Sequence, residues 1–230
     1  TVCHHCAKPC PVNIDFGDVT MRMRKILTEK GQKRTAWAAK AAFLYLNSKN
    51  PLPVRLMRKT LIGWASTAQK LGHYIFKALG LLGKASDIPR STNKPQPVVQ
   101  QVVHFVRKPL NTGANKPPMR ALLDLEDPSY IPIIRANNNV TEESEAVFYF
   151  PGCGSERLFN QISMATLAMV SEAGAQTILP PGYLCCGYPQ TAAGNATKGS
   201  QITTENRALF HRVATTLNYL DIKTVLVSCG

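Results

Sequence analysis

The sequence predicts an α/β protein in three parts: an all-α N-terminal region over 1–85, a proline-rich connector over 86–141, and an open, parallel β-α-β-α-β sheet over 142–230. Three observations predict this order. Apolar residues recur at helical spacing in the first part. Eight of the 16 prolines lie between Pro89 and Pro132. After position 142, short apolar runs alternate with amphipathic segments, which is typical of parallel sheets with helical crossovers.

The N-terminal region is predicted to contain three helical stretches. The first spans Asp15 to Lys30, with Asp15 as N-cap and Gly31 at its end, and the second spans Thr35 to Asn47. The third covers Leu52 to Leu82, where glycines interrupt a pattern of apolar and basic residues at helical spacing. Such a stretch could lie on a membrane surface, dock a partner, or pack against the rest of the region.

The connector is predicted to be extended, because proline removes helical hydrogen bonds. Two brief strands are expected within it, at Val98–Val106 and Tyr130–Arg135.

The last part has strands predicted at 146–150, 177–179 and 224–227. Helices predicted at 155–173 and 201–220 connect them. Right-handed crossovers of this kind build an open sheet with helices on both faces.

Basic charge is concentrated at one end of the chain. The net charge is +13, and residues 1–100 contain 17 Lys and Arg against 4 Asp and Glu, whereas residues 101–230 contain 10 of each. A basic surface attracts an acidic redox protein, a lipid head-group layer or nucleic acid. Nucleic acid is not expected as a partner, because the basic residues are not interleaved with aromatics in a known binding pattern.

Cys3, Cys6 and Cys10 form the latter part of the bacterial ferredoxin run C-x2-C-x2-C-x3-C-P, which holds iron–sulfur clusters. The first cysteine of that run would precede the chain, and the chain lacks an initial Met, so we expect an internal piece of a longer polypeptide. His4 and His5 add imidazoles, and a zinc site is therefore the alternative.

The other four cysteines follow predicted strands: Cys153 the first, Cys185 and Cys186 the second, and Cys229 the third. In open α/β sheets, ligands bind at the carboxyl ends of the strands. Thiolates are soft ligands that suit iron, so the pattern predicts a metal site at this edge. Seven cysteines are too few for a disulfide scaffold, and a reducing compartment such as the cytoplasm is expected.

A dinucleotide site at Gly152-Cys153-Gly154 is not favoured. The segment follows a strand and precedes a helix, but Arg157 stands where the third glycine of G-x-G-x-x-G is required.

The spacing Cys153, then Cys185-Cys186-Gly187, then Cys229 resembles the cysteine-rich CCG domain. Its most specific parts are residues 150–154 and 180–189. Proteins of this type include the cysteine-rich subunit of heterodisulfide reductase and the glycolate oxidase iron–sulfur subunit, and the sequence is also similar to fusions with an FAD-linked oxidase. The resemblance implies [4Fe–4S] clusters, one held by Cys3, Cys6 and Cys10 together with ligands outside this sequence and one by the four later cysteines.

By the same resemblance, the protein is an iron–sulfur electron-transfer module of a flavin-dependent 2-hydroxy-acid oxidoreductase. The FAD would belong to an oxidase domain or subunit and not bind to this piece, and electrons would pass to a quinone or a redox protein. We expect a cytoplasmic location, with peripheral membrane contact through the basic helical region. Two alternatives stay open: a thiol/disulfide reductase site using the Cys185-Cys186 pair, and a zinc-stabilised interaction module.

Overall fold

The computed structural model describes residues 4, 7–33, 37–82, 98–108, 117–136 and 139–228. They belong to two compact units, one formed by residues 1–54 with 118–230 and the other by residues 55–117. The predicted domain boundaries at 85 and 141 stay predictions.

Helices make up most of the described chain. They are α1 (Phe16–Glu29), α2 (Trp37–Asn47), α3 (Pro51–Met57), a π-helical segment (Arg58–Trp64), α4 (Ala65–Ala78), α5 (Val98–Val106), α6 (Met119–Leu122), α7 (Gly152–Arg157), α8 (Asn160–Glu172), α9 (Tyr188–Ala192), α10 (Ala196–Thr216) and a 3-10 turn (Asn218–Leu220). The strands are β1 (Ile133–Ile134), β2 (Ala146–Phe150), β3 (Gln176–Ile178) and β4 (Thr224–Val227). Among the described residues, no helix is both long and apolar enough to cross a membrane.

The N-terminal helices agree with the sequence pattern. Asp15 is the N-cap of α1, because its carboxylate accepts the Gly17 N–H at 2.7 Å. Gly31 follows the helix with φ +67°, the left-handed conformation that ends helices. The third stretch is helical from Pro51 to Ala78, with its middle turns widened into a π-helix.

The strand predicted at Val98–Val106 is wrong, since these residues form α5. Valine favours strands locally, but packing against α4 decides the conformation of this segment. Val103 and Val106 lie three residues apart and are both buried, and a Cβ on Gly72 would be only 3.1 Å from Val106. The strand predicted at Tyr130–Arg135 is present only as the two residues of β1.

The α/β fold class is confirmed, and the three predicted strands of the C-terminal part pair in parallel. The sheet order is β1-β3-β2-β4, with β2 parallel to both β3 and β4. The expectation of a purely parallel sheet is wrong at one edge, where β1 pairs antiparallel with β3. The helix predicted at 155–173 is in fact α7 and α8, and the one predicted at 201–220 begins earlier and ends at Thr216.

Helices cover both faces of the sheet. On one face, Phe148 and Phe150 of β2 pack against Phe210 of α10, in edge-on contacts with ring centroids 5.1 and 5.5 Å apart. On the other face, Tyr149 lies in a buried cluster with Leu167 of α8. Strand β3 pairs with one side of β2, and the next strand along the chain, β4, pairs with the other side of β2. The direction of winding therefore reverses at the carboxyl end of β2. This position is the usual ligand site of open α/β sheets.

Candidate metal centre at the carboxyl edge of the sheet

Three of the predicted cysteines lie at this edge. Cys153 lies in the first turn of α7, directly after β2, and Cys185 and Cys186 lie in the loop between β3 and α9. Cys153 and Cys185 are buried, and their sulfurs are 3.9 Å apart. Cys186 is half-buried and contacts the Cys185 sulfur. Residues 32 positions apart are thus brought together by the parallel strands.

Cys229 lies outside the described residues, but Ser228 shows where β4 ends. The Ser228 hydroxyl contacts the Tyr149 hydroxyl of β2, and its carbonyl oxygen accepts a hydrogen bond from Ser155 Oγ at 3.3 Å. Ser155 is two residues beyond Cys153. The end of β4 is therefore joined to the turn that carries Cys153.

Of the N-terminal set, Cys10 and His4 are described, whereas Cys3, His5 and Cys6 lie outside the described residues. The Ile14 N–H donates to the Cys10 sulfur at 3.3 Å. The His4 ring nitrogen Nδ1 lies 2.5 Å from the Asp15 carboxylate, and this hydrogen bond lowers the pKa of Asp15. In the described part of the chain, His4 is therefore engaged with the N-cap of α1.

The spacing of the thiols bears on the kind of metal that they could hold. Thiolates sharing one tetrahedral zinc ion are about 3.8 Å apart. The Cys153–Cys185 pair has this spacing, but the three described sulfurs at the edge do not form a group that all lies within 4.8 Å. Within the same described residues, the trio that does meet this limit is His4, Asp15 and Asp18, which contains no cysteine.

Backbone groups point at the sulfurs of the loop. The Gly187 N–H bonds to the Cys185 sulfur, and the Tyr188 N–H bonds to the Cys186 sulfur. Such N–H···S bonds favour the thiolate and tune the potential of a metal that it binds. The contact with Cys153 nevertheless raises the pKa of Cys185, and the contact with Cys185 raises the pKa of Cys186, so a metal would have to displace the thiol protons.

Helix α10 fixes the same loop from its other side. Asn206 donates to the Cys185 carbonyl at 2.7 Å, and Thr203 donates to the Cys186 carbonyl at 3.3 Å. Gly187 adopts φ +87°, and a Cβ there would lie 2.6 Å from the Gly199 carbonyl oxygen. Glycine is required at this position by both its backbone conformation and the close approach of α10.

A buried ion pair connects the two cysteine segments. Arg120 donates to the Glu156 carboxylate, and both side chains are almost fully buried. Glu156 lies three residues after Cys153, and its carboxylate also accepts the N–H of Leu184, which directly precedes Cys185. Burial raises the pKa of Glu156, while the charges of Arg120 and Arg157 oppose that rise. The carboxylate therefore joins the turn after β2 to the loop after β3.

Arg157, the residue that argued against a dinucleotide motif, is a second buried cation. Its guanidinium donates to the carbonyl oxygens of Tyr45 and, at 2.8 Å, of Ser48, at the end of α2. Its guanidinium carbon also lies 5.2 Å from the ring centroid of Tyr183, a cation–π contact. Tyr183 in turn donates to the Glu126 carboxylate at 2.7 Å.

Sequence reasoning missed this polar layer. Arg120 belongs to the part predicted to be an extended connector, and its partner Glu156 is 36 residues away. The pattern of single residues carries no signal for the pairing. The one available hint is the placement of a Glu and an Arg, Glu156-Arg157, two and three residues after the second of the glycines that flank Cys153.

A sheet with helices on both faces and thiols gathered at its carboxyl edge places the chain among α/β proteins with a cysteine-rich candidate site. Residues 147–229 match the cysteine-rich CCG domain family, the family that the cysteine spacing resembles. Over 99% of its length, the chain is 22% identical to the probable glycolate oxidase iron–sulfur subunit of Bacillus subtilis (strain 168). It spans 44% of the length of that relative. No solved structure matches the chain.

Proposed function

We propose that the chain is an iron–sulfur electron-transfer module of a flavin-dependent 2-hydroxy-acid oxidoreductase. The observation that carries the proposal is the meeting of Cys153 with Cys185 and Cys186 at the carboxyl edge, within the segment that matches the CCG domain. The name of the Bacillus subtilis relative, a glycolate oxidase iron–sulfur subunit, supports both the cofactor and the reaction.

Cys153, Cys185, Cys186 and Cys229 would hold one cluster, and Cys3, Cys6 and Cys10 would contribute to a second, both of the [4Fe–4S] type. Soft thiolates suit iron. When bound, such a cluster would take up and release single electrons.

The contribution of the chain is to hold the thiols before any metal arrives. Asn206 and Thr203 fix the carbonyls of Cys185 and Cys186, and the amides of Gly187 and Tyr188 stabilise thiolate charge. Burial of Cys153 and Cys185 keeps water from the centre. Because these hydrogen bonds hold the loop in place, the reorganisation energy would stay small when a bound cluster gains or loses an electron.

The partners follow from the reaction proposed. An FAD-linked oxidase domain or subunit would supply electrons from the 2-hydroxy acid, since flavin carries the substrate chemistry. A quinone or a redox protein would accept them. We place the protein in the cytoplasm, with a peripheral position at the membrane.

The test is anaerobic reconstitution of the chain with iron and sulfide. We expect bound iron and acid-labile sulfide, visible absorption, and a paramagnetic signal on reduction. Cys153→Ser should remove the centre at the sheet edge, whereas Cys10→Ser should affect only the N-terminal centre, so the two variants act as controls for each other. Stoichiometric zinc without sulfide, or equal effects of both variants, would contradict the proposal.

A second candidate is a thiol/disulfide reductase, and the 3.9 Å separation of the Cys153 and Cys185 sulfurs favours it. Such a site requires a thiolate that attacks a disulfide rapidly. Rapid reaction of the metal-free protein with a small disulfide, lost in Cys185→Ser, would support this function. We expect slow reaction, because both thiols are buried.

A further inference from the structure

The unit formed by residues 55–117 is strongly basic. It contains 11 Lys and Arg and one acidic residue, Asp87, a net charge of +10 out of the +13 of the whole chain. Its described residues include seven of these cations and no Asp or Glu. The partner of this unit must therefore tolerate or require a dense positive charge.

Helix α4 of this unit has its polar side turned inward. Ser66 and Gln69 are buried, and Gln69 donates to the carbonyl oxygens of Phe105 at 2.9 Å and Lys108 at 2.6 Å. His73 lies on the same side, with Nδ1 2.8 Å from the Val106 carbonyl. These hydrogen bonds pair the carbonyl oxygens at the C-terminal end of α5, and they fix which side of α4 faces α5.

The opposite side of the helix is apolar and exposed. Trp64 is 69% exposed, Leu71 61%, Tyr74 64% and Leu79 65%. Trp64, Leu71 and Tyr74 are seven and three residues apart, and Leu71, Ile75 and Leu79 are four residues apart, so these spacings place the five side chains in a stripe on one side of the helix. A water-facing helix normally shows the reverse arrangement, so this stripe is suited to a surface that it can enter.

Lys70 lies four residues before Tyr74 and Lys77 three residues after it, so both lysines lie beside the stripe on the Tyr74 side of α4. Cations beside an apolar stripe that contains Trp and Tyr are typical of helices that lie in a membrane interface. We propose that this surface of α4 and its two flanking residues, defined by Trp64, Leu71, Tyr74 and Leu79 with Lys70 and Lys77, binds the face of an anionic lipid bilayer.

An anionic bilayer matches the surface better than nucleic acid or an acidic protein. Nucleic acid offers phosphates but no apolar layer for a continuous stripe of large side chains. An acidic protein would need a groove for the stripe, whereas a bilayer accepts a convex helix without one. This inference rests on the proposed function for its purpose, which is to bring the module near a quinone in the membrane, but its physical basis is this unit alone.

Fluorescence of the two tryptophans gives the first test, on the full chain. Trp37→Phe leaves Trp64 as the only tryptophan, and Trp64→Phe leaves Trp37, which is 81% exposed on α2, as the matched control. We expect vesicles of phosphatidylcholine with phosphatidylglycerol to shift the Trp64 emission to the blue and to leave the Trp37 emission unchanged. Vesicles of phosphatidylcholine alone should shift neither.

Cosedimentation with the same vesicles measures the contribution of each group. Lys70→Gln with Lys77→Gln should reduce partitioning by roughly fivefold per lysine, whereas Lys198→Gln with Lys223→Gln should leave it unchanged. Leu71→Gln should reduce it by about tenfold or more, because the leucine no longer enters the apolar layer. Met169→Gln, at a residue 73% exposed on α8, is its control.

Four results would overturn the inference: no binding to either vesicle, equal binding to neutral and anionic vesicles, equal effects of the test and control variants, or binding to an acidic protein or nucleic acid in place of lipid. Iron and sulfide are measured on the same preparations. Lipid binding by a protein that takes up no cluster would refute the proposed function and support the membrane-binding surface. A cluster in a protein that binds no lipid would support the proposed function and refute the membrane-binding surface.

Discussion

Replacing Arg120 by methionine tests whether the buried ion pair holds the two cysteine segments together. The Arg120 side chain is 0% exposed and the Glu156 side chain 2%, so the variant leaves a carboxylate without its cation in the protein interior. Removing one partner of such a pair costs about 3–5 kcal/mol of unfolding free energy. The variant also takes a donor from the Pro180 carbonyl, 2.7 Å from Arg120 Nη2, a loss that lies within that range.

The loss should depend on pH. Without Arg120, the folded-state pKa of Glu156 rises further above its unfolded value, because desolvation is no longer opposed by that charge. A carboxyl group with a raised folded pKa is tolerated when protonated and destabilises the fold as pH rises through that pKa. The deficit of the variant should therefore be smaller at about pH 5 than at about pH 8.

Urea unfolding of the metal-free chain, followed by circular dichroism at both pH values, measures the deficit. Lys49→Met, at the exposed pair that Lys49 forms with Glu205 at 2.8 Å, is the control and should show no resolvable change. Adding Glu156→Gln to Arg120→Met should recover roughly half or more of the loss, since Gln keeps an acceptor for the Leu184 N–H. Equal stability of Arg120→Met and the control, or a double variant weaker than the single one, would refute the reasoning.

Two further substitutions test the loop that carries Cys185 and its support. Gly187→Ala combines a left-handed backbone with a Cβ 2.6 Å from a carbonyl oxygen of α10, and it should cost about 1–3 kcal/mol in urea unfolding and lower iron uptake. Gly174→Ala, at φ +79° with nothing within 4 Å of its Cβ, should cost less and leave iron uptake intact; equal costs would argue against the close contact. Tyr183→Phe removes the 2.7 Å hydrogen bond to Glu126 and should cost about 1–2 kcal/mol by thermal or urea unfolding, and an unchanged midpoint would show that this bond contributes nothing.

Much of the fold could be predicted from local patterns. A run such as Ala146–Phe150 has the composition of a buried strand, and the N-cap at Asp15 is a local feature of α1. The placement of cysteines directly after strands predicted their meeting at one edge, because parallel strands end on the same side of a sheet. The meeting of Cys153 and Cys185 agrees with that expectation, whereas the positions of Cys3, Cys6 and Cys229 stay predictions.

The errors arose where packing outweighed local preference. Val98–Val106 has the composition of a strand but forms a helix, because hydrogen bonds from Gln69 and the burial of two valines stabilise the helix. Strand β1 is only two residues long and is defined by its antiparallel pairing with β3, a partner more than 40 positions away.

The sequence by itself determined the α/β alternation, the resemblance to the CCG domain and the thiols available at the edge of the sheet. Only the tertiary structure decided which charges support those thiols. Arg120 and Glu156 stabilise the protein because both leave water together and meet inside it, and a residue pattern describes neighbours along the chain, not groups that share a desolvated interior. The exposed apolar stripe of α4 has the same origin, since an amphipathic pattern fixes that a helix has two sides but not which of them is turned inward.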